Sequence, residues 1–344
     1  MKIALFNTMT PFVRGGAEIL VDDLYEQLTI RGHQVTLFRI PFPDNYEVPL
    51  LETILSTQLL RFDEYDRVIA FKFPAFYAVH PRKVLWFFHQ FRQVYELLGQ
   101  EYGIAADSTG FALKNIIVHN DNQEIGNAYL TYTNAHEVTN RLKEYNDLES
   151  TVLPPPLKNW EEYYFSEIGD YIYYPSRITN LKRQHLAIEA MKYVKTDVKL
   201  VISGRCNEPE YYSKLEDIIK KNRLEHKVIM ENKWIDDKEK MDIMAKSLGV
   251  MYIPYKEDSY GFVSMEGFYS SKPVIACTDS GGTDELIEDG VTGIIVEPTP
   301  EKIAEAMDRL FEDRGVTEKM GNAARKEIIR RNYTWDETIR RLLL

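Results

Sequence analysis

Two patterns of apolar and polar positions alternate along this chain. Short apolar runs bounded by turn residues predict strands, and stretches with apolar residues every three or four positions predict helices between them. The run KIALFN at residues 2–7 predicts a first strand, followed by a helix from about Gly16 to Ile30, a stop at Gly32 and a strand over 34–38. Residues 40–62 read as loop and helix, and 67–71 and 83–88 as two more strands. The pattern then gives a helix at 93–101, a short one at 109–113, a strand at 115–119, a helix capped by Asn120 or Asp121, and a helix at 135–145. The Leu153-Pro154-Pro155-Pro156 stretch cannot lie inside a helix, which makes it the best domain boundary.

Strand alternation begins again after the prolines. Strands are expected at 171–174, 199–203, 227–230, 250–253 and 273–276, with helices from near Leu181 and at 209–221, 237–246, 299–311 and 315–331. The last segment, from Tyr333 and Trp335, reads as an amphipathic helix whose leucine stripe needs an apolar surface. Such alternation predicts an α/β protein with mostly parallel sheets covered by helices on both faces. The expected division is a first domain over 1–153, a second over 154–325 and a terminal helical tail over 326–344.

With 344 residues the chain is long enough for two cores. Its net charge of −11 argues against a nucleic-acid partner or a broad anionic-lipid surface. Cys206 and Cys277 lie far apart and no signal-peptide pattern precedes them, so a reduced, cytoplasmic protein is expected. No apolar run approaches the ~20 residues of a membrane span, which leaves open a peripheral contact at the inner face of a membrane.

The candidate chemistry is densest between Met251 and Gly282, a strand, a polar loop, a turn at Gly261, a helix over 262–270 and a second strand. Gly261 lets backbone N–H groups approach a ligand at the helix N-terminus, where unpaired amides and the helix dipole favour an anion. Asp258 before the helix and Glu266 within it are placed to take hydroxyls on either side of that anion. Phosphate flanked by polyols is what a nucleotide sugar presents. Taken singly, a solvated loop aspartate, an exposed helix glutamate and a plain Gly281-Gly282 turn account for these residues equally well.

Arg177 and Lys182 follow another predicted strand and can reach a diphosphate, the arginine through bidentate contacts and the lysine as a point charge. A solvated charge run is the ordinary alternative. Gly15-Gly16, with Glu18 in the first helical turn, can close on a phosphate or sugar, or simply supply a turn. His89 directly follows the strand at 83–88, where ligands meet open α/β sheets, or it is simply a satisfied histidine under an aromatic lid. The aromatic stretch FPAFYAVHP at 73–81 reads as a core edge before it reads as an acceptor surface.

The order Asp258, seven residues, Glu266, then an apolar strand leading to Gly281-Gly282 and Glu285 resembles the retaining GT-B glycosyltransferases of family 4, the glycosyl transferases group 1. Those proteins carry Glu, seven residues, Glu, and Asp258 stands at the first of these positions. The Arg177–Lys182 pair resembles the family's diphosphate pair, although Ser176 and Arg183 stand where glycines are common. Gly15-Gly16 with Glu18 and His89 likewise match family positions. The resemblance implies two Rossmann-like domains facing across a cleft and a tail that folds back on the first. It also implies retaining transfer of a sugar from a nucleoside diphosphate sugar to a saccharide, glycolipid or small-molecule hydroxyl.

In that reading Glu266 holds ribose and Asp258 orients the donor sugar. Arg177, Lys182 and the amides of Gly261, Phe262 and Val263 stabilise the leaving diphosphate, and Lys233 and Trp234 contact the nucleobase. Gly15, Gly16 and His89 close the reacting face. No metal or other cofactor is expected, the nucleotide sugar being a substrate. The alternatives are a catalytically silent nucleotide-sugar-binding subunit and a retaining synthase that uses a sugar phosphate.

Overall fold

The computed structural model describes residues 1–12, 14–42, 50–100 and 103–344. The chain divides into two compact units, one comprising Met1–Pro156 with Thr334–Leu344 and the other Leu157–Tyr333. The division falls just past the proline run. The expected break after residue 325 would cut the helix Arg314–Arg331.

The first unit is built on six parallel strands, β1 (Lys2–Met9), β2 (Gln34–Pro41), β3 (Arg67–Ala70), β4 (Lys83–Phe87), β5 (Leu130–Thr133) and β6 (Thr151–Val152). Their spatial order is β2-β1-β3-β4-β5-β6, so the order reverses between β1 and β3. Every residue of β3 and β4 is buried, because these central strands are covered on both faces. Phe73, Phe76 and Tyr77 are buried in the core with Phe87 and Phe91. That stretch is therefore packing, and the acceptor-surface alternative for it falls.

Two expectations in this unit are corrected. Residues 115–119 are not a strand but the middle of one helix, Ser108–Gly126. Their β-branched run suggested a strand, yet Ile117, Asp121 and Ile125 are buried at four-residue intervals while Ile116 is 40% exposed. The strand that belongs here is β5, which the pattern did not reveal. The helix expected at 93–101 is a succession of tight turns over its described residues. The amide of Val94 donates to Phe91 O at 3.0 Å and that of Leu98 to Tyr95 O at 3.3 Å, and Gly99 then turns back onto Ile104 O at 2.7 Å; Glu101 lies outside the described residues, as do residues 43–49 of the loop expected at 40–62.

The terminal helix Trp335–Leu342 packs within this first unit. Ile339 and Leu342 are buried, each worth about 1.5–3 kcal/mol in removed apolar surface. Trp335 meets Trp86 edge-on at 6.4 Å, and the buried Arg67 donates to the carbonyls of Leu342 and Leu343 at 3.5 and 3.3 Å.

A buried polar cluster is centred on Asp121 of the helix Ser108–Gly126. Tyr77 and Tyr95 each donate to one oxygen of Asp121 at 2.6 Å, Asn146 donates to Tyr95 Oη at 3.2 Å, and Gln90 donates to Asn146 at 3.1 Å. Complete burial pushes the Asp121 carboxyl up from its ordinary 3.8 to about 7, against the two tyrosine bonds that favour the anion. A raised carboxyl pKa stabilises the fold below the ordinary value, and that stability is lost as pH rises towards about 7. The melting temperature of the wild type relative to Asp121→Asn should therefore fall across that window. A difference that does not vary with pH would contradict it.

The second unit has β7 (Tyr171–Pro175), β8 (Lys199–Ser203), β9 (Val228–Glu231), β10 (Gly249–Met251), β11 (Val274–Cys277) and β12 (Gly293–Val296). They form one parallel sheet in the order β12-β11-β10-β7-β8-β9. This is the dinucleotide-fold order, with its reversal between β7 and β10. The helix expected from Leu181 begins with a 3₁₀ turn, Asn180–Lys182, and becomes α-helical only over Gln184–Ala190. Both cysteines are free. Among the described residues no helix is long and apolar enough to cross a membrane.

Candidate functional site

In an open parallel sheet, ligands bind beyond the carboxyl ends of the strands where the strand order reverses. The second unit places Arg177, Lys182, Asp258, Gly261 and Glu266 on the two segments that follow β7 and β10. Sheet order brings these segments together although some seventy residues separate them in the chain.

The loop after β7 is held from below by the fully buried Gln184, whose amide donates to Ser176 Oγ and to Arg177 O, both at 2.9 Å. Its backbone is fixed while the Arg177 side chain is exposed. The Tyr174 hydroxyl donates to the Lys182 carbonyl and anchors the other end of the turn. Lys182 Nζ donates to Tyr252 Oη at 2.6 Å and forms an ion pair with Glu257, and Tyr252 Oη donates to the same carboxylate at 3.0 Å. Burial, followed by the Glu257 charge, raises the Tyr252 pKa well above the ordinary tyrosine value, so the phenol stays protonated.

Arg183 adopts a left-handed conformation with φ 56°, a backbone cost of about 1–2 kcal/mol for a residue with a Cβ. Its guanidinium offsets this. It donates to Ile253 O at 2.7 Å and Pro254 O at 2.8 Å and pairs bidentately with Asp279, both oxygens at 2.7 Å. One buried side chain thus ties the Lys182 turn to the ends of β10 and β11.

Gly261 caps the helix Phe262–Tyr269 with φ 72°. A Cβ there would lie 2.2 Å from the Tyr252 ring, so glycine is required by space as well as by dihedral angle. Tyr252 therefore packs beneath the helix N-terminus while its hydroxyl meets Lys182, linking the two candidate anion-binding elements. Gly281, with φ 65°, lets the loop after β11 pair with the segment before the helix, and Gly282 N donates to Glu257 O at 2.9 Å.

Asp258 and Glu266 are both buried, which removes the solvated-loop and exposed-helix explanations for them. Glu266 Oε1 accepts from Lys240 Nζ at 2.6 Å, and Tyr163 also hydrogen-bonds to Glu266. Burial works against the Lys240 charge, but the carboxylates of Glu266 and Asp237 outweigh it and raise the lysine's pKa. Glu266 is thus held in a fixed orientation by two partners. Lys233 forms ion pairs with Glu231 at 3.4 Å and Glu239 at 2.9 Å, beside Trp234, which is 60% exposed.

The first unit carries the remaining candidates at its own reversal point, between β1 and β3. Gly15 has φ −123° and ψ −172°, an extended conformation, so a left-handed turn is not the reason for glycine there. Its amide already donates to Glu18 Oε2 at 2.9 Å, which leaves the neighbouring Gly16 as the candidate for backbone approach. Glu18 Oε1 pairs at 2.9 Å with Lys72, which follows β3. Burial raises the Glu18 pKa, and the Lys72 charge with the hydrogen bonds from Lys72 and Gly15 overcome it, so the carboxyl titrates below its ordinary value. His89 is half-buried after β4, and its Nδ1 lies 2.5 Å from Gln90 O. A carbonyl only accepts, so Nδ1 donates, and in the neutral ring Nε2 is left as the acceptor.

Sequence reasoning did not find Glu257, Tyr252, Lys240, Tyr163 or Lys72. A lysine or tyrosine far along the chain gives no local signal that sheet order will bring it against a carboxylate.

Comparison with known proteins bears most on the second unit. Residues 162–327 match the family model described as glycosyl transferases group 1. An uncharacterized glycosyltransferase of Methanocaldococcus jannaschii is 32% identical over 168 residues, 48% of this chain and 41% of that protein. The Homo sapiens alpha-1,3/1,6-mannosyltransferase is 28% identical over 166 residues, 44% of this chain and 39% of that one. The chain matches about two fifths of the length of these curated relatives. Among solved structures, Anabaena HepE in complex with UDP and glucose aligns with TM-score 0.74 and 18% identity over 100% of this chain and 98% of that one. Sucrose-phosphate synthase from Thermosynechococcus elongatus aligns with TM-score 0.78 and 16% identity, over 99% and 97%. At such identities the likeness is one of fold: two parallel-sheet, Rossmann-like α/β units matching GT-B glycosyltransferase structures.

Proposed function

We propose that this protein is a retaining glycosyltransferase that moves a sugar from a nucleoside diphosphate sugar to a hydroxyl of a saccharide, glycolipid or small-molecule acceptor. The observation that carries this reading is the meeting of Lys182, on the Arg177 turn, with the elements around the Gly261 helix N-terminus at the strand-order reversal of the second unit. The match of residues 162–327 to the group 1 glycosyltransferase model supports it, and the UDP and glucose bound by Anabaena HepE point to the same donor class.

In this account Arg177, Lys182 and the first-turn amides of the helix stabilise negative charge that grows on the departing diphosphate. Glu266, oriented by Lys240 and Tyr163, holds the ribose hydroxyls. Asp258 reads the donor sugar, and Lys233 with Trp234 lies along the nucleobase. Gly16 and His89 belong to the first unit's proposed share of the reaction, where His89 Nε2 can accept a hydrogen bond. Retention is assigned to front-face attack, in which a donor phosphate oxygen takes the acceptor proton as the glycosidic bond to the diphosphate breaks and the bond to the acceptor oxygen forms.

A thermal-shift panel of UDP-, GDP-, ADP- and dTDP-sugars, followed by transfer to saccharide acceptors, tests the reading. One donor should stabilise the protein and give product with the donor's anomeric configuration by NMR. Transfer with inverted configuration would overturn the retaining assignment.

Transfer should also survive EDTA, because the cationic pair and the helix amides are assigned the charge-neutralising role. Loss of transfer on chelation, restored by magnesium or manganese, would reject metal independence.

A second reading, a catalytically silent nucleotide-sugar-binding subunit, draws on aspartate at position 258 and on the engagement of Lys182 by Glu257. It predicts donor binding with neither transfer nor hydrolysis.

A further inference from the structure

Lys182 is assigned to the diphosphate, yet its ammonium is occupied by a carboxylate of this same chain. Its ion-pair partner Glu257 sits one residue before Asp258, and Tyr252 bonds to both, closing a three-membered cluster. The cluster is largely buried: the Lys182 and Glu257 side chains are 15% and 20% exposed, and Tyr252 is 5% exposed. Glu257 is also fixed by its backbone. Its N–H donates to Ser280 O at 3.1 Å and its carbonyl accepts from Gly282 N at 2.9 Å, so the carboxylate is held on a rigid, doubly bonded segment.

A single ammonium with three donors can serve a phosphate and a carboxylate together only if two anions are brought side by side. Their mutual repulsion in a partly desolvated site makes that costly. We propose that Glu257 is an internal counter-anion that occupies Lys182 in the donor-free protein and must yield the ammonium to the diphosphate, so that Glu257 sets donor affinity and product release. The proposal rests on the assignment of Lys182 to a nucleoside diphosphate.

The competition has a chemical logic. Without Glu257, the Lys182 charge would stand bare beside the buried Tyr252 and would bind any small phosphate. With it, only a ligand that also engages Arg177, the helix amides and Glu266 displaces the carboxylate. The same carboxylate returns to the ammonium after transfer and helps expel the nucleoside diphosphate. Tyr252, which accepts from Lys182, keeps the lysine in place during the exchange.

The test measures UDP, GDP and ADP binding by calorimetry for the wild type, Glu257→Gln, Lys182→Met and the double variant. Charge-assisted hydrogen bonds are the strong ones, so Glu257→Gln should tighten the best nucleoside diphosphate by about ten-fold or more. Inorganic pyrophosphate should gain at least as much, because it lacks the other contacts. In the Lys182→Met background the Glu257→Gln change should give no tightening, the coupling that a merely structural glutamate would not show. Glu257→Gln should lower the donor KM and, at saturating donor, slow turnover through product release.

If the wild type binds a nucleoside diphosphate but Glu257→Gln binds it no better, or tightens it equally without Lys182, the counter-anion role is overturned and the donor reading stands. If none of the folded proteins binds any nucleoside diphosphate, the donor reading fails and takes this proposal with it. Should Glu257→Gln not fold, Glu257→Asp, which keeps the charge on a shorter reach, is expected to tighten binding by a smaller factor. Unchanged or weaker binding by that variant overturns the role equally.

Discussion

Replacing Glu266 by alanine is expected to weaken both the free nucleoside diphosphate and the intact sugar donor, since both contain ribose. Asp258→Ala is expected to leave the nucleoside diphosphate nearly unchanged and to damage use of the intact donor. A hydrogen bond to a charged group is worth about 1.5–3 kcal/mol, enough for calorimetry to separate the two patterns. Glu266→Ala also strips Lys240 of its 2.6 Å partner, leaving Asp237 at 3.4 Å. Glu266→Gln is therefore the control, because it keeps an acceptor oxygen beside Lys240 while removing the charge and turning the other oxygen into a donor. Asp258→Glu adds a methylene in a site where the aspartate is buried, so it should shift donor preference or lower the rate. If Asp258→Ala weakens the free nucleoside diphosphate as much as the donor, or leaves transfer intact, Asp258 does not read the sugar.

Arg177→Ala and Lys182→Ala should each lower transfer by ~10²-fold or more, the usual scale for removing one preorganised charge-stabilising group. The two differ in what else they disturb. Arg177 projects from a loop held by Gln184 and its side chain is exposed, so its loss should leave the melting temperature unchanged. Lys182→Ala leaves Glu257 without its ammonium partner, and some loss of stability should accompany the loss of rate. Wild-type turnover in both folded variants would remove the pair from the mechanism.

Much of the fold could be read from the chain because many of its strands are short apolar runs, some of them closed by proline or glycine, as β2 and β7 are by Pro41 and Pro175 and β8 by Gly204. Such runs betray strands that are buried on both faces, as β3, β4 and β11 are. The pattern failed where it was ambiguous. Asn-Ile-Ile-Val-His over 115–119 is as apolar as a strand, and only the helix around it, with one face turned to solvent, shows its period. The polar strand Leu130–Thr133 carried too few apolar residues to stand out.

The site was read through residues close in sequence: Arg177 with Lys182, Asp258 with Glu266, and the glycine between them. What holds those residues was hidden. Lys240 reaches Glu266, Lys72 reaches Glu18 and Arg183 reaches Asp279 only because parallel strands return distant segments to the same edge. The left-handed backbone at Arg183 is one that suits glycine, and an arginine occupies it here through four bonds that no local pattern encodes.

The most direct test of the central claim is a crystal structure of the protein with the nucleoside diphosphate that binds it best. The account predicts the diphosphate between Arg177, Lys182 and the amides of Phe262 and Val263, the ribose hydroxyls on Glu266, and Lys182 Nζ transferred from Glu257 to a phosphate oxygen. A nucleotide bound away from the β7–β10 reversal, or one whose ribose and phosphates touch neither Glu266 nor Lys182, would contradict it.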